Sequence, residues 1–426
     1  MRILIVNTSE KTGGAAVASH RLMTALMHHG VKVKMLVGEK LSDNPSVAVL
    51  PHRWLQSLHF LWERWCVFCH LHFSRQGLFE IDLANAGTDI TCLPEFREAD
   101  VVHLQWINQG MLSLNDIRRI LQSGKPVVWT MHDLWPLSSL CHYARGCDGF
   151  KNGCGHCRLL PGGGSPHDVS RKVMLRKQHL LANGKVTFVT CSEWLAEQAR
   201  ESVLAQGQRV MSIPNCIDTA IYCPGDREEA RRRLGLPTGL GRLILFVSQK
   251  VTDQRKGMNY FVEAMHLLAA EEACGDYGVM VLGGHAEEVV GSIPQAVYPL
   301  GYVSDEQKIV DVYRAADVYV LPSLEDNLPN TIMEAMACGT PCVGFSTGGI
   351  PEMIDADGDY PNGYVAQASD ATDLARGIRQ VLRADCYDVY AQNAVRKVAV
   401  SWSQQRVAAR YKAVYEECLN AQIAES

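Results

Sequence analysis

One stretch limits what this chain can fold into more than any other. Residues 318–352 read VYVLPSLEDNLPNTIMEAMACGTPCVGFSTGGIPE. Val318–Leu321 is a short apolar run of the kind that forms a buried parallel strand. A polar loop follows over 322–330, then a helix with Met333, Met336 and Ala337 on its inward face. Gly339 stops the helix and Pro341 forbids its continuation. Cys342–Phe345 is the next strand, and Thr347-Gly348-Gly349 a tight loop after it. Such a strand–loop–helix–strand unit belongs to a doubly wound α/β sheet. Ligands there bind beyond the C-terminal strand ends, where the free N–H groups of a helix N-terminus suit phosphate. Asp326 and Glu334 lie in this unit, and a carboxylate beside a phosphate cradle points to a partner with hydroxyls, such as ribose. Thr331-x-x-Glu334 also reads as a capping box, which would make Glu334 purely structural.

The sequences EAMACGTPCV and TGGIPE, with two acids separated by seven residues, resemble the nucleotide-sugar site of retaining glycosyltransferases of family 4, which have the GT-B fold. The resemblance runs over most of the chain and is strongest over 240–365. It implies an α/β protein of two doubly wound Rossmann-like domains facing across a cleft. It further implies transfer of a hexose from a nucleotide-diphospho-sugar, UDP- or GDP-linked, to a glycan or lipid-linked acceptor in cell-surface polysaccharide biosynthesis. The chain departs from the family pattern at the first acid. Asp326 stands where the family has Glu, Glu325 lies beside it, and Asn327-Leu328-Pro329 replaces Gly-Phe-Gly. Either Glu325 or Asp326 could serve the sugar. Family members place an Arg and a Lys against the diphosphate. Lys256 matches the Lys, and Lys250 or Arg255 the Arg. By the same resemblance Asn330, Thr331 and the loop at Gly13 and Gly14 meet phosphate, Glu334 holds the ribose, and backbone groups around Val303 face the base. His132 faces the sugar and the acceptor. Pro214-Asn215-Cys216-Ile217-Asp218 resembles the family's Pro-Asn-Gly-Val-Asp turn, with Cys in place of Gly.

Length and composition agree with two soluble cores: 426 residues, 47% apolar, net charge −5. That balance gives no reason to expect nucleic-acid binding. The chain opens directly on an apolar strand pattern, without the run and cleavage site of a signal peptide. Fifteen scattered cysteines, an odd number, fit a reducing compartment better than a disulfide framework. No run of 18 apolar residues occurs. The expected location is therefore cytoplasmic, with a peripheral place at the inner membrane face where the acceptor is lipid-linked.

Three further segments carry expectations. Residues 54–79, WLQSLHFLWERWCVFCHLHFSRQGLF, are rich in Trp, Phe, Leu and His. They read either as an arm lying on a membrane surface or as a helix pair packed inside the N-terminal domain. His132, just past the apolar strand at 126–130, lies at the rim of its sheet, as a site residue or as a hydrogen-bonded structural one. Cys141, Cys147, Cys154 and Cys157 form a cluster whose Cys-x-x-Cys half has zinc-ligand spacing and whose Cys-x₅-Cys half is looser. Four thiolates would hold a structural zinc, His142 and His156 could substitute, and buried thiols or a disulfide are the alternatives.

The domains are expected over 1–222, with a terminal helix at 402–420 packing back, and over 223–401. A solvated linker is expected at 224–241. No Walker-type lysine motif is present, and a catalytic divalent metal is not expected. An epimerase or hydrolase using His132 or Asp133 as base, or a silent binding subunit, are the other functions this fold could carry. Under the transferase reading, the two domains close on the nucleotide.

Overall fold

The computed structural model describes residues 1–237, 239–270 and 277–425. Two compact units emerge, one of Met1–Asn215 with Val407–Ser426, the other of Cys216–Arg406.

The first unit is built on a seven-stranded sheet in the order β3-β2-β1-β4-β5-β6-β7. Its strands are β1 (Arg2–Ser9), β2 (Lys32–Glu39), β3 (Val47–Val49), β4 (Val101–Leu104), β5 (Val127–Met131), β6 (Thr187–Thr190) and β7 (Arg209–Ser212). Every pairing is parallel. The central strands read as unbroken apolar runs because helices cover both faces; Ile3, Leu4, Ile5 and Val6 are all essentially buried. The second unit has six parallel strands in the order β10-β9-β8-β11-β12-β13. They are β8 (Arg242–Lys250), β9 (Tyr277–Gly284), β10 (Ala296–Gly301), β11 (Val318–Leu321), β12 (Cys342–Phe345) and β13 (Gly363–Ala366). Both sheets are the Rossmann-like α/β type expected. Each reverses strand order once, at β1/β4 and at β8/β11, and open α/β sheets bind ligands at such points.

The expected solvated linker is instead part of the second unit's fold. Its helix Arg227–Arg233 buries Arg231, whose guanidinium meets Asp317 at 2.8 Å. Arg227 and Arg242 reach the same carboxylate at 3.0 and 2.9 Å. Arg227 and Arg231 of this segment meet Arg242 of β8 on one buried acid just before β11, which ties the segment to the sheet.

The Trp-rich segment forms one helix, Arg53–His70, and not a pair. Its inward side carries Glu63, Arg64 and Val67. Arg64 pairs with Asp82, and Asp82 accepts from His142 Nε2 at 2.8 Å. His142 Nδ1 donates to Asp133 at 2.7 Å. Burial alone would lower the His142 pKa, yet the charges and hydrogen bonds of Asp133 and Asp82 push it up to about 10. A raised histidine stabilises the fold fully below its ordinary value of 6.5, and that contribution is lost as pH rises through about 10. Denaturant midpoints should therefore fall from pH 7 to pH 10 in the wild type and fall less steeply in His142→Gln. Equal slopes would remove His142 from the stability of this unit.

Candidate functional site

The reversal at β8/β11 gathers the residues that the sequence singled out. The loop after β8 ends in a short turn, Gln254–Lys256, whose start is capped by Asp253. Lys256 Nζ reaches Asp326 Oδ2 at 2.5 Å, and Ser323 Oγ donates to the same oxygen at 3.0 Å. Arg255 Nη1 lies 3.8 Å from that oxygen and donates to the Glu325 carbonyl at 2.7 Å. Asp326 is buried, so desolvation works to raise its pKa, but the Lys256 and Arg255 charges hold it below the ordinary carboxylate value. The two residues expected to serve different parts of the donor, Lys256 and Asp326, are thus paired with each other. Arg255, and not Lys250, is the second base touching the acidic loop. Lys250 has an exposed side chain at the end of β8, and Val303 lies in the loop just past β10. Among the described residues no hydrogen bond or ion pair joins either of them to the pair.

Two glycines permit this convergence. Gly257 sits at φ +72°, and a Cβ there would fall 1.9 Å from the Pro322 carbonyl oxygen. Gly348 sits at φ +57°, and its Cβ would fall 1.6 Å from the Asp326 carbonyl oxygen. The loops after β8, β11 and β12 are therefore packed backbone on backbone. Gly349 N–H donates to the Asn327 carbonyl at 2.9 Å, and Thr347 Oγ1 to the Ser323 carbonyl at 2.6 Å.

Helix Asn330–Ala337 begins directly after this loop, with Pro329 as N-cap and no side chain capping it. The capping-box alternative does not hold. Thr331 Oγ1 accepts from Tyr319 Oη at 2.8 Å, and Glu334 Oε2 accepts from Tyr313 Oη at 2.8 Å. Glu334 is nearly buried and held by a tyrosine from the neighbouring helix, Glu306–Ala315. That contact fixes the orientation of the carboxylate. Glu325, half-buried, contributes its backbone; Asp326 contributes its side chain to the cluster.

In the first unit Gly13 precedes helix Gly14–His28 at φ 93°, with nothing within 4 Å above it. His132 follows β5 directly. Its Nε2 lies 2.7 Å from Gln105 Oε1, and an amide oxygen only accepts, so Nε2 carries the proton. Burial lowers its pKa to about 4 against the opposing pull of Asp133, so the ring is neutral and Nδ1 holds a lone pair. Cys191 Sγ lies 3.7 Å from Nδ1. Gln105 Nε2 is turned to His103 Nε2 at 2.9 Å, and His103 Nδ1 meets Tyr415 Oη at 2.7 Å. His103, Gln105, Cys191 and Tyr415 were not singled out by the sequence. They are scattered along the chain: the register of β4 on β5 brings Gln105 and His103 to this end of the sheet, that of β5 on β6 brings Cys191, and the C-terminal helix brings Tyr415 against His103. Asp133 points away, to Trp106 Nε1, His142 and the Trp135 N–H.

The cysteine cluster does not form the expected zinc site. Among the described residues no group of three or more His, Cys, Asp or Glu side chains is placed to hold a metal ion. Cys141 bridges to Ile81, and the Cys157 N–H donates to Asp168. All four cysteines, Cys141, Cys147, Cys154 and Cys157, are free thiols. Burial raises Cys141 to about 11 and Cys154 to about 12.

Replacing Gly348 with alanine should force the Asp326 loop away from the loop after β12. The expected loss is more than about 1 kcal/mol of stability, since an αL position and a backbone clash combine. Denaturation with the wild type as reference measures it, and an unchanged midpoint would mean the two loops are not locked.

Residues 12–221 match the family model Glycosyltransferase Family 4, and residues 241–384 match Glycosyl transferases group 1. A D-inositol 3-phosphate glycosyltransferase of Corynebacterium aurimucosum is 27% identical over 315 residues, 70% of this chain and 70% of that protein. One from Geodermatophilus obscurus is 29% identical over 269 residues, 60% of this chain and 56% of its own length. In fold, sucrose-phosphate synthase from Thermosynechococcus elongatus superposes with a TM-score of 0.66 at 18% identity over 99% of both chains. Anabaena HepE, solved with UDP and glucose, gives 0.63 at 15% identity over 98% of this chain and 100% of that one. With two transferase domains in sequence and two Rossmann-like sheets of GT-B type in structure, the chain is a glycosyltransferase of the family 4 type.

Proposed function

We propose that the protein is a retaining hexosyltransferase. It takes a sugar from a nucleotide diphosphate, UDP- or GDP-linked, and passes it to a glycan or lipid-linked glycan in cell-surface polysaccharide synthesis. The observation that carries this reading is the Lys256–Asp326 pair at the β8/β11 reversal, beside a helix N-terminus without a side-chain cap. Anabaena HepE has been captured with UDP-glucose, which supports a UDP-sugar as the first donor to try.

The pair explains how the site would meet its donor. An arriving diphosphate competes with Asp326 for Lys256, and Arg255 adds a second positive charge. Asp326, released from the lysine, then accepts from sugar hydroxyls. As the bond to the sugar breaks, negative charge grows on the diphosphate, and the two cations with the N–H groups of Asn330 and Thr331 stabilise it. Such clamping asks for no divalent cation. Glu334 takes the ribose hydroxyls, oriented by Tyr313. Backbone around Val303 meets the base, and Lys250 contributes charge at the rim. In the first unit, the Gly13-Gly14 loop offers helix N–H groups, and His132 offers Nδ1 as a neutral hydrogen-bond acceptor.

Glu334→Gln should weaken binding of the matching nucleoside diphosphate by about 10- to 100-fold, the loss of a charged hydrogen bond worth roughly 1.5–3 kcal/mol. Calorimetric titration reads it, and full affinity in a folded variant would end the ribose role.

Lys256→Ala should cost turnover about 100-fold and should also destabilise the fold, because it leaves buried Asp326 unpaired. Adding Asp326→Asn should restore the denaturation midpoint without restoring turnover. A double variant that regains full rate would show that Lys256 serves only the fold. Assays with donor alone and donor plus acceptor separate transfer from epimerisation, hydrolysis and mere binding.

A further inference from the structure

Helix Arg53–His70 is inverted relative to an ordinary surface helix. The face turned into the protein carries Glu63 and Arg64 beside Val67, all buried. Glu63 Oε1 accepts the Leu83 and Ala84 N–H groups at 2.9 and 2.7 Å. Arg64 donates to the Ile81 carbonyl and pairs with Asp82. The opposite face is apolar and open. Trp54, Leu58, Leu61, Trp62 and Trp65 recur at i, i+4, i+7, i+8 and i+11, one side of a 3.6-residue helix, and are 51–64% exposed. The surface extends through Phe68, 6.0 Å from Trp65, to Phe73, 5.5 Å further in an edge-on contact. His72 and Phe73 both adopt positive φ, 51° and 63°, a costly conformation for a bulky residue, and it leaves Phe73 65% exposed.

Along the segment that carries this face the exposed charge is positive, and the first carboxylate beyond it, Glu80, is paired with Arg145. From 51 to 79 the exposed charges are Arg53 and Arg75, and the sole carboxylate, Glu63, is buried on the far side.

We propose that this helix lies in the plane of a lipid bilayer rich in anionic headgroups, with its Trp/Leu face in the interface. An 18-residue helix is about 27 Å long, and no described helix is long and apolar enough to cross a membrane, so it lies on the surface. Indole rings favour that depth, their apolar body meeting acyl chains and their N–H meeting headgroups. Arg53 and Arg75 flank the face where they meet anionic headgroups. A second copy of the chain fits poorly, because two such faces would bring together arginines with no carboxylate between them. The fixed inward side matters equally: Glu63 and Arg64 hold the helix on the unit by polar contacts and leave its whole apolar stripe outward. The inference does not rest on the transferase reading, and its test uses no sugar donor.

The test is flotation of the full-length chain with vesicles of phosphatidylcholine alone or mixed in equal parts with phosphatidylglycerol. The wild type should float with the mixed vesicles, float weakly with the neutral ones, and lose binding as salt is raised. Leu61→Glu with Trp65→Glu should cut flotation by about tenfold or more. That variant should keep the wild-type denaturation midpoint, since both side chains are exposed. Brominated lipid should quench tryptophan emission in the wild type. A wild type that stays with the soluble fraction, or a double variant that floats equally well, would overturn the proposal. So would light scattering that shows a wild-type dimer, dissociated by the double variant, with no flotation in either.

Discussion

A single contact, a lysine against a buried carboxylate, governs the polar edge of the second unit. Asp326 can stay ionised out of water only because Lys256 and Arg255 face it and Ser323 donates to it. Those partners reach it only because Gly257 and Gly348 let three strand-end loops touch backbone to backbone. Replace either glycine and the carboxylate loses its cations, and with them the reason it can be buried. A buried pair of this kind contributes little net stability, but removing one partner is expensive.

The first unit handles its buried charge differently. Asp82 and Asp133 share a histidine, and Arg64 closes the set from the Trp-rich helix. Asp133 is thereby committed to structure, while its chain neighbour His132 turns the other way, toward Gln105 and Cys191. Adjacent residues at the end of one strand point to opposite sides, so the His-Asp pair divides between two separate hydrogen-bond networks.

Much of this was legible before any coordinates. The two parallel sheets follow from short apolar runs alternating with helical patterns, Asp326 and Glu334 are carried by one contiguous motif, and Lys256 by the separate basic loop after β8. What escaped the sequence depends on contacts distant along the chain. The Lys256–Asp326 pair spans 70 residues and the His103–Tyr415 bond 312, and no local pattern encodes either. The helix at 227–233 reads as solvated because four of its seven residues are Arg and two are Glu, yet Asp317 draws one arginine inside. Ligand spacing in the cysteine motif says only which thiols are close in sequence. The Trp-rich stretch misled in another way. Its apolar content argued for burial, but only the periodicity read against the position of Glu63 and Arg64 tells which side faces in.

The closing of the first unit by residues from the far end of the chain has a consequence for its birth. Tyr411 and Tyr415 sit in helix Gln404–Glu425 and bond Thr130 and His103, both beneath the strand ends that carry Gln105 and His132. During synthesis, β4 and β5 are complete some 280 residues before those tyrosines exist. Until then the polar groups of His103 and Thr130 have no such partners, and the ring of His132 is oriented by a glutamine whose own support is missing. The first half of the protein to be made is therefore the last to be finished, and a ribosome that stalls anywhere in the second sheet releases a chain whose first unit lacks its final strut.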